Sequence, residues 1–169
     1  MADEELVERA RALLDLCRSK NLKLAAAESC TGGLLAATLT EIPGSSDVFE
    51  RGFVTYSNAA KAAMLGVPAR TLERFGAVSR ETAEAMATGA LDRSPADLAV
   101  SVTGIAGPGG AVAGKPVGLV HFAAVSRGGR SAYQERKFGD IGRAQVRRVS
   151  VLQALAMLHE LAAAETPRP

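Results

Sequence analysis

The segment Glu28-Ser29-Cys30-Thr31-Gly32-Gly33 sets an alcohol and a thiol beside two glycines, where the short apolar run Leu24 to Ala27 gives way to a helical repeat. At such a strand-to-helix turn, bare backbone and the first unpaired amides can hold an anion or a developing oxyanion. Ser29 is placed there to attack a carbonyl, but an alcohol is inert until a base takes its proton as it reacts. The partner therefore decides the chemistry. The structural alternative is that Ser29 and Thr31 only cap the following helix, as Ser and Thr commonly do.

Tyr56 and Lys61 are the candidate partners. Gly52 to Tyr56 reads as a strand ending at Tyr56, and Asn58 as the N-cap of a short helix reaching Leu65, which puts Lys61 about one turn in. A lysine acts as a base only where burial or a neighbouring cation lowers its pKa. On a surface it stays charged and solvated, and Tyr56 is then a core-edge residue. Asn58 caps its helix or orients a substrate amide. Thr103 closes a third apolar strand, and residues 104 to 116 hold five glycines and two prolines, a loop long enough to imply binding. Ligands of open α/β sheets bind outside the carboxyl ends of the strands, so Ser29, Tyr56 and Thr103 can converge at one edge.

Several other motifs fail on their own terms. Gly109 to Lys115 has phosphate-loop spacing, but Pro116 stands where a Ser or Thr is required and a strand follows instead of a helix. The α/β-hydrolase elbow needs glycines where Ala27 and Thr31 stand. His121 and His159 are the only histidines, and a triad through His121 is a remote alternative. Cys30 is either a thiolate nucleophile at a helix N-terminus or a small packed thiol. No residues have metal-ligand spacing, so no metal or other cofactor is expected. Arg143 and Arg147, one helical turn apart, either clamp a phosphate or form a solvated or subunit-facing stripe.

The elements that position these groups follow from periodicity. Leu6, Val7, Ala10, Leu13, Leu14 and Cys17 mark an N-terminal helix ending near Lys20-Asn21. Ser79 caps a helix through Ala90, Leu98 to Thr103 is a buried strand, and Arg127-Gly128-Gly129-Arg130 joins strands 117 to 125 and 131 to 138 as a hairpin. A final helix runs from about Gly142, and residues 166 to 169 should fray. This order predicts an α/β fold of three layers, α/β/α, with a mixed, mostly parallel sheet including one antiparallel hairpin, in a single domain over residues 1–165. The chain has 169 residues, is 47% hydrophobic and carries a net charge of +2, which excludes disorder and gives no footprint for nucleic acid. Two cysteines make no disulfide framework, the acidic start is no signal peptide, and no apolar run spans a membrane, so a cytoplasmic protein is expected.

Three segments carry a resemblance: Ala27 to Gly33, Gly52 to Asn58 with Lys61, and Thr103-Gly104-Ile105-Ala106-Gly107-Pro108, followed by Gly139-Asp140 and Arg143. Together they resemble the CinA C-terminal domain family, the nicotinamide-nucleotide amidohydrolases, over nearly the whole chain. The resemblance implies deamidation of nicotinamide mononucleotide in pyridine-nucleotide salvage by a bacterial homo-oligomer, here in the form without the N-terminal domain of longer relatives. It makes Ser29 the nucleophile, Lys61 with Tyr56 the base and proton relay, and Thr103 an active-site hydroxyl. Contacts to substrate fall to Glu28, Cys30, Thr31, Gly32, Gly33, Asn58, Gly104, Gly107, Arg143 and Arg147. The competing reading is a non-catalytic nucleotide-binding module of the same fold.

Overall fold

Apolar residues at helical spacing fold Glu4–Ser19 into α1, whose Leu6, Ala10, Leu13, Leu14 and Cys17 are buried and whose first turn is capped by the Asp3 carboxylate at the Leu6 N–H. The structure, a computed structural model, describes residues 3–169. The elements that follow are β1 (Leu24–Glu28), α2 (Leu34–Thr40), β2 (Phe49–Val54), α3 (Asn58–Leu65), α4 (Ala69–Phe75), α5 (Arg80–Asp92), β3 (Leu98–Gly104), β4 (Leu119–Ser126), β5 (Ser131–Lys137) and α6 (Arg143–Ala164). Among the described residues no helix is long and apolar enough to cross a membrane.

The five strands form one sheet in the order β2-β1-β3-β4-β5. β1 pairs in parallel with β2 and β3, whereas β4 runs antiparallel to both β3 and β5. The expected mixed three-layer α/β/α architecture is what the chain adopts. The hairpin strand β4 also pairs antiparallel with β3, which the sequence pattern did not indicate. The alternation of side chains along a strand sorts the core: Leu24, Ala26, Val100 and Phe122 pack with α1, α2 and α6, while Ala25, Ala27 and Ala99 pack with α3 and α5. Helices thus cover both faces, which explains why β1 and β3 are almost continuously apolar.

Four local readings need correction. β2 spans Phe49–Val54 and does not reach Tyr56, because the Thr55 N–H makes the last pairing with the Glu28 carbonyl and the chain then turns away. As an edge strand it is mostly exposed, so its apolar pattern is weak at its true start. The cap of α3 is Ser57, whose hydroxyl accepts from the Ala60 N–H at 3.0 Å, and Asn58 is the first helical residue. Helix α4 was not foreseen, being short and without a buried face. The last residues, expected to fray, lie against the body: the Arg168 N–H donates to the Lys20 carbonyl at 2.9 Å, and its guanidinium pairs with buried Asp97.

Candidate active site

Because β1, β2 and β3 run parallel, their carboxyl ends open on one edge of the sheet, and the turns that leave them face one another. A cleft of about 340 Å³ lies there, lined by Ser29, Cys30, Tyr56, Lys61, Thr103 and Arg143 among others. Ser29 directly follows β1, fixed by its N–H donating to the Val102 carbonyl at 2.9 Å. Gly32 and Gly33 then adopt φ of 57° and 98°, a left-handed path that residues with a Cβ rarely take, and the chain turns into α2.

Lys61 points inward from α3 and is 1% exposed. Its Nζ donates to the Thr55 carbonyl at 2.8 Å and the Tyr56 carbonyl at 3.3 Å, and lies 2.9 Å from Ser29 Oγ. Among the described residues no carboxylate pairs with it, and burial pulls its pKa below the ordinary lysine range, opposed in part by the nearby Cys30. Two carbonyls accept two of its hydrogens, and Ser29 Oγ accepts the third in the ammonium form; once the amine is neutral, its lone pair is turned to the proton of the Ser29 hydroxyl. A buried lysine beside a serine can therefore serve as general base without any histidine.

The other expected site residues divide. Tyr56 borders the cleft, but the residue is 61% exposed and its phenol oxygen accepts from Arg143 at 2.8 Å; its tie to Lys61 is through the backbone carbonyl. Thr103 also borders the cleft, with its hydroxyl hydrogen directed to the Ala77 carbonyl at 2.8 Å. Gly104 and Gly107 line the wall, and the Gly107 carbonyl accepts from Arg143 at 2.9 Å. Arg147, one turn further along α6, donates to the Thr31 carbonyl at 2.9 Å. Arg143 thus lines the cleft, whereas Arg147 and Thr31 lie outside its lining.

Glu28 does not face the cleft. It is buried, and its carboxylate accepts from the N–H groups of Leu35 at 2.8 Å and Ala36 at 3.1 Å, so it caps α2 from a distance. That occupies the helix terminus that sequence reasoning offered to substrate. Gly32 is likewise spent, its N–H donating to the Ser29 carbonyl at 3.1 Å, and Gly33 packs near Val54. The N–H groups of Cys30 and Thr31, just past Ser29, donate to no backbone carbonyl among the described residues, and the Cys30 N–H is directed to its own thiol. The thiol of Cys30 is pushed up to about 12 by burial, which leaves it protonated and packed, against its use as a thiolate. Asn58 is exposed and outside the cleft. His121 lies in a neighbouring cavity, where its Nδ1 is 2.6 Å from the Tyr133 hydroxyl, so no triad forms with Ser29. Among the described residues no group of His, Cys, Asp or Glu could hold a metal ion.

Sequence reasoning missed Thr55, whose contribution is a carbonyl, and Ala77 and Val78, which line the cleft from the connection between α4 and α5. None of these has a side chain that signals such a role.

The sequence matches the CinA C-terminal domain family over residues 6–162. It is 46% identical over 158 residues to a putative competence-damage inducible protein of Caldicellulosiruptor bescii, covering 94% of this chain but only 38% of that protein. The chain therefore spans under half the length of this relative. A relative of similar size is the nicotinamide-nucleotide amidohydrolase PncC of Enterobacter agglomerans, 48% identical over 138 residues and covered to 84% by a match over 82% of this chain. Among solved structures, the competence/damage inducible protein CihA from Agrobacterium tumefaciens superposes with a TM-score of 0.94 at 54% identity, over 95% of this chain and 98% of that one.

Proposed function

The chain belongs to the CinA C-terminal domain family, and on that premise we propose that it hydrolyses the carboxamide of nicotinamide mononucleotide to nicotinate mononucleotide and ammonia. The substrate comes from the relative of similar size, whose name states this activity. The observation that carries the reaction is the 2.9 Å contact between Ser29 Oγ and the buried Lys61 amine, which pairs with no carboxylate among the described residues.

In this reading Ser29 Oγ attacks the amide carbon as its proton passes to Lys61. The carbonyl oxygen becomes an oxyanion held by the N–H groups of Cys30 and Thr31, a contribution worth about 3–4 kcal/mol per donor in comparable sites. Lys61 then returns the proton to the departing nitrogen, the C–N bond breaks, and ammonia leaves. Water adds to the resulting ester with Lys61 again taking a proton, and the Ser29 hydroxyl is regenerated. Arg143 and Arg147 take the phosphate by charge-assisted hydrogen bonds, which supplies binding energy away from the reacting amide. Tyr56 acts with Arg143 at the mouth, and Thr103 shapes the wall.

An ammonia assay across nicotinamide mononucleotide, its riboside and free nicotinamide tests this reading. Turnover of the nucleotide, lost in Ser29→Ala, is expected. Nucleotide binding by calorimetry without turnover would select the non-catalytic module instead, and riboside turnover equal to the nucleotide's would dismiss the phosphate role of the arginines.

A further inference from the structure

The segment Gly109 to Lys115 is not a phosphate loop, since β4 and not a helix follows it, yet its terminal lysine has a definite position. At the loop tip the backbone groups of Val112 and Lys115 pair with each other at 3.0 and 2.9 Å. Lys115 Nζ crosses to the last residue of α4 and donates to the Phe75 carbonyl at 2.6 Å. It is the only side-chain hydrogen bond that residues 109 to 116 make to any other element among the described residues.

Phe75 and Lys115 line the neighbouring cavity that holds His121, and the chain just past Phe75 becomes a wall of the Ser29 cleft at Ala77 and Val78. Three successive carbonyls there are held by side chains from three elements: Phe75 by Lys115, Gly76 by Ser79 and Thr82 of the α5 start, and Ala77 by Thr103 of β3. Ala77 and Val78 line the cleft that holds Ser29 together with Gly109 and Gly110 of the loop. A glycine-rich loop loses much conformational entropy when it is ordered, and a ligand that must order it binds more weakly by that amount. The Lys115 bond orders it beforehand.

We propose that Lys115 is a positioning residue that latches the glycine loop to the residue 75–79 wall and so sets affinity for substrate without touching it. This rests on the reading of the Ser29 cleft as a nucleotide amidohydrolase site. The carbonyls of α4's last turn suit a cation there, because they carry the negative end of the helix dipole.

The test compares Lys115→Met, which keeps the stem and removes the donor, with Lys115→Arg, which keeps a donor. Two readouts are taken: kcat and KM for nicotinamide mononucleotide, and hydrogen exchange of the backbone amides of residues 109–114. Lys115→Met is expected to raise KM about tenfold with kcat within about threefold, and to speed exchange in the loop, while Lys115→Arg restores both. Unchanged loop exchange in Lys115→Met overturns the latch, whatever the activity. Faster exchange with KM unmoved, or a fall in kcat alone, overturns its role in affinity. Absence of turnover in the unmodified protein would count against the amidohydrolase reading, and the exchange comparison would still decide whether the latch exists.

Discussion

Lys61 Nζ and Ser29 Oγ meet at 2.9 Å from positions 32 residues apart, in a place where the amine is 1% exposed and two backbone carbonyls occupy the rest of its hydrogen-bonding capacity. Such an amine has reason to shed its proton, and the serine stands where that loss is useful. Replacing Ser29 by Ala or Lys61 by Met should lower kcat by about 10³-fold or more, with nucleotide binding retained by calorimetry. Residual turnover near the unmodified rate in either variant would remove the pair from the mechanism.

The depressed pKa of Lys61 fixes the sign of two pH effects. With the free amine as the proposed base, kcat/KM should rise with pH and reach its plateau below the ordinary lysine range. Stability should move the same way. Between the folded and unfolded pKa values the unfolded chain binds more protons, so stability increases as pH rises through that window and is lowest below the folded value. Urea unfolding across alkaline pH should show this increase in the unmodified protein and lose it in Lys61→Met.

Glu28 should report on stability and not on substrate. Its carboxylate satisfies two first-turn amides of α2, so Glu28→Ala should lower stability by about 1–3 kcal/mol in urea unfolding. Gln is a poor substitute, since its amide nitrogen would face an N–H that needs an acceptor. A rise in KM with the urea midpoint unchanged would return Glu28 to the substrate.

Tyr56 and Arg143 should act on binding together. The phenol oxygen accepts from Arg143 and does not meet Lys61. Tyr56→Phe is therefore expected to raise KM about two- to fivefold with kcat nearly unchanged, and Arg143→Ala to raise it further. A kcat loss of about a hundredfold in Tyr56→Phe would instead identify the phenol as a proton relay.

The thiol of Cys30, pushed up to about 12 and 6% exposed, should resist alkylation at neutral pH. Treatment with iodoacetamide should leave turnover intact, and so should Cys30→Ala. Inactivation that substrate prevents would restore the thiol as a nucleophile candidate.

Much of the fold was legible because it depends on local pattern. The helical spacing in α1, the apolar run of β3, the Ser79 cap of α5 and the glycine pair between β4 and β5 are all encoded within a few residues of where they act. The boundaries that failed lie where the pattern is weak. β2 is an exposed edge, so its limits are set by pairing with β1, and Ser57 takes the cap from Asn58 because the chain direction after Thr55 brings its hydroxyl to the Ala60 N–H.

The sequence by itself determined which residue types stand at or just past the ends of β1, β2 and β3, and so that an alcohol, a phenol and a second hydroxyl could converge at one edge of the sheet, while it left open whether Lys61 is buried there or solvated. Only the tertiary structure decided which of those groups remain available. Glu28, Gly32 and Thr103 are committed to backbone partners, Tyr56 turns to Arg143, and Lys61 is left facing Ser29 between two carbonyls. The reason is physical: a polar group's partner is fixed by strand register and helix placement across the chain, and residue type and spacing do not carry that information.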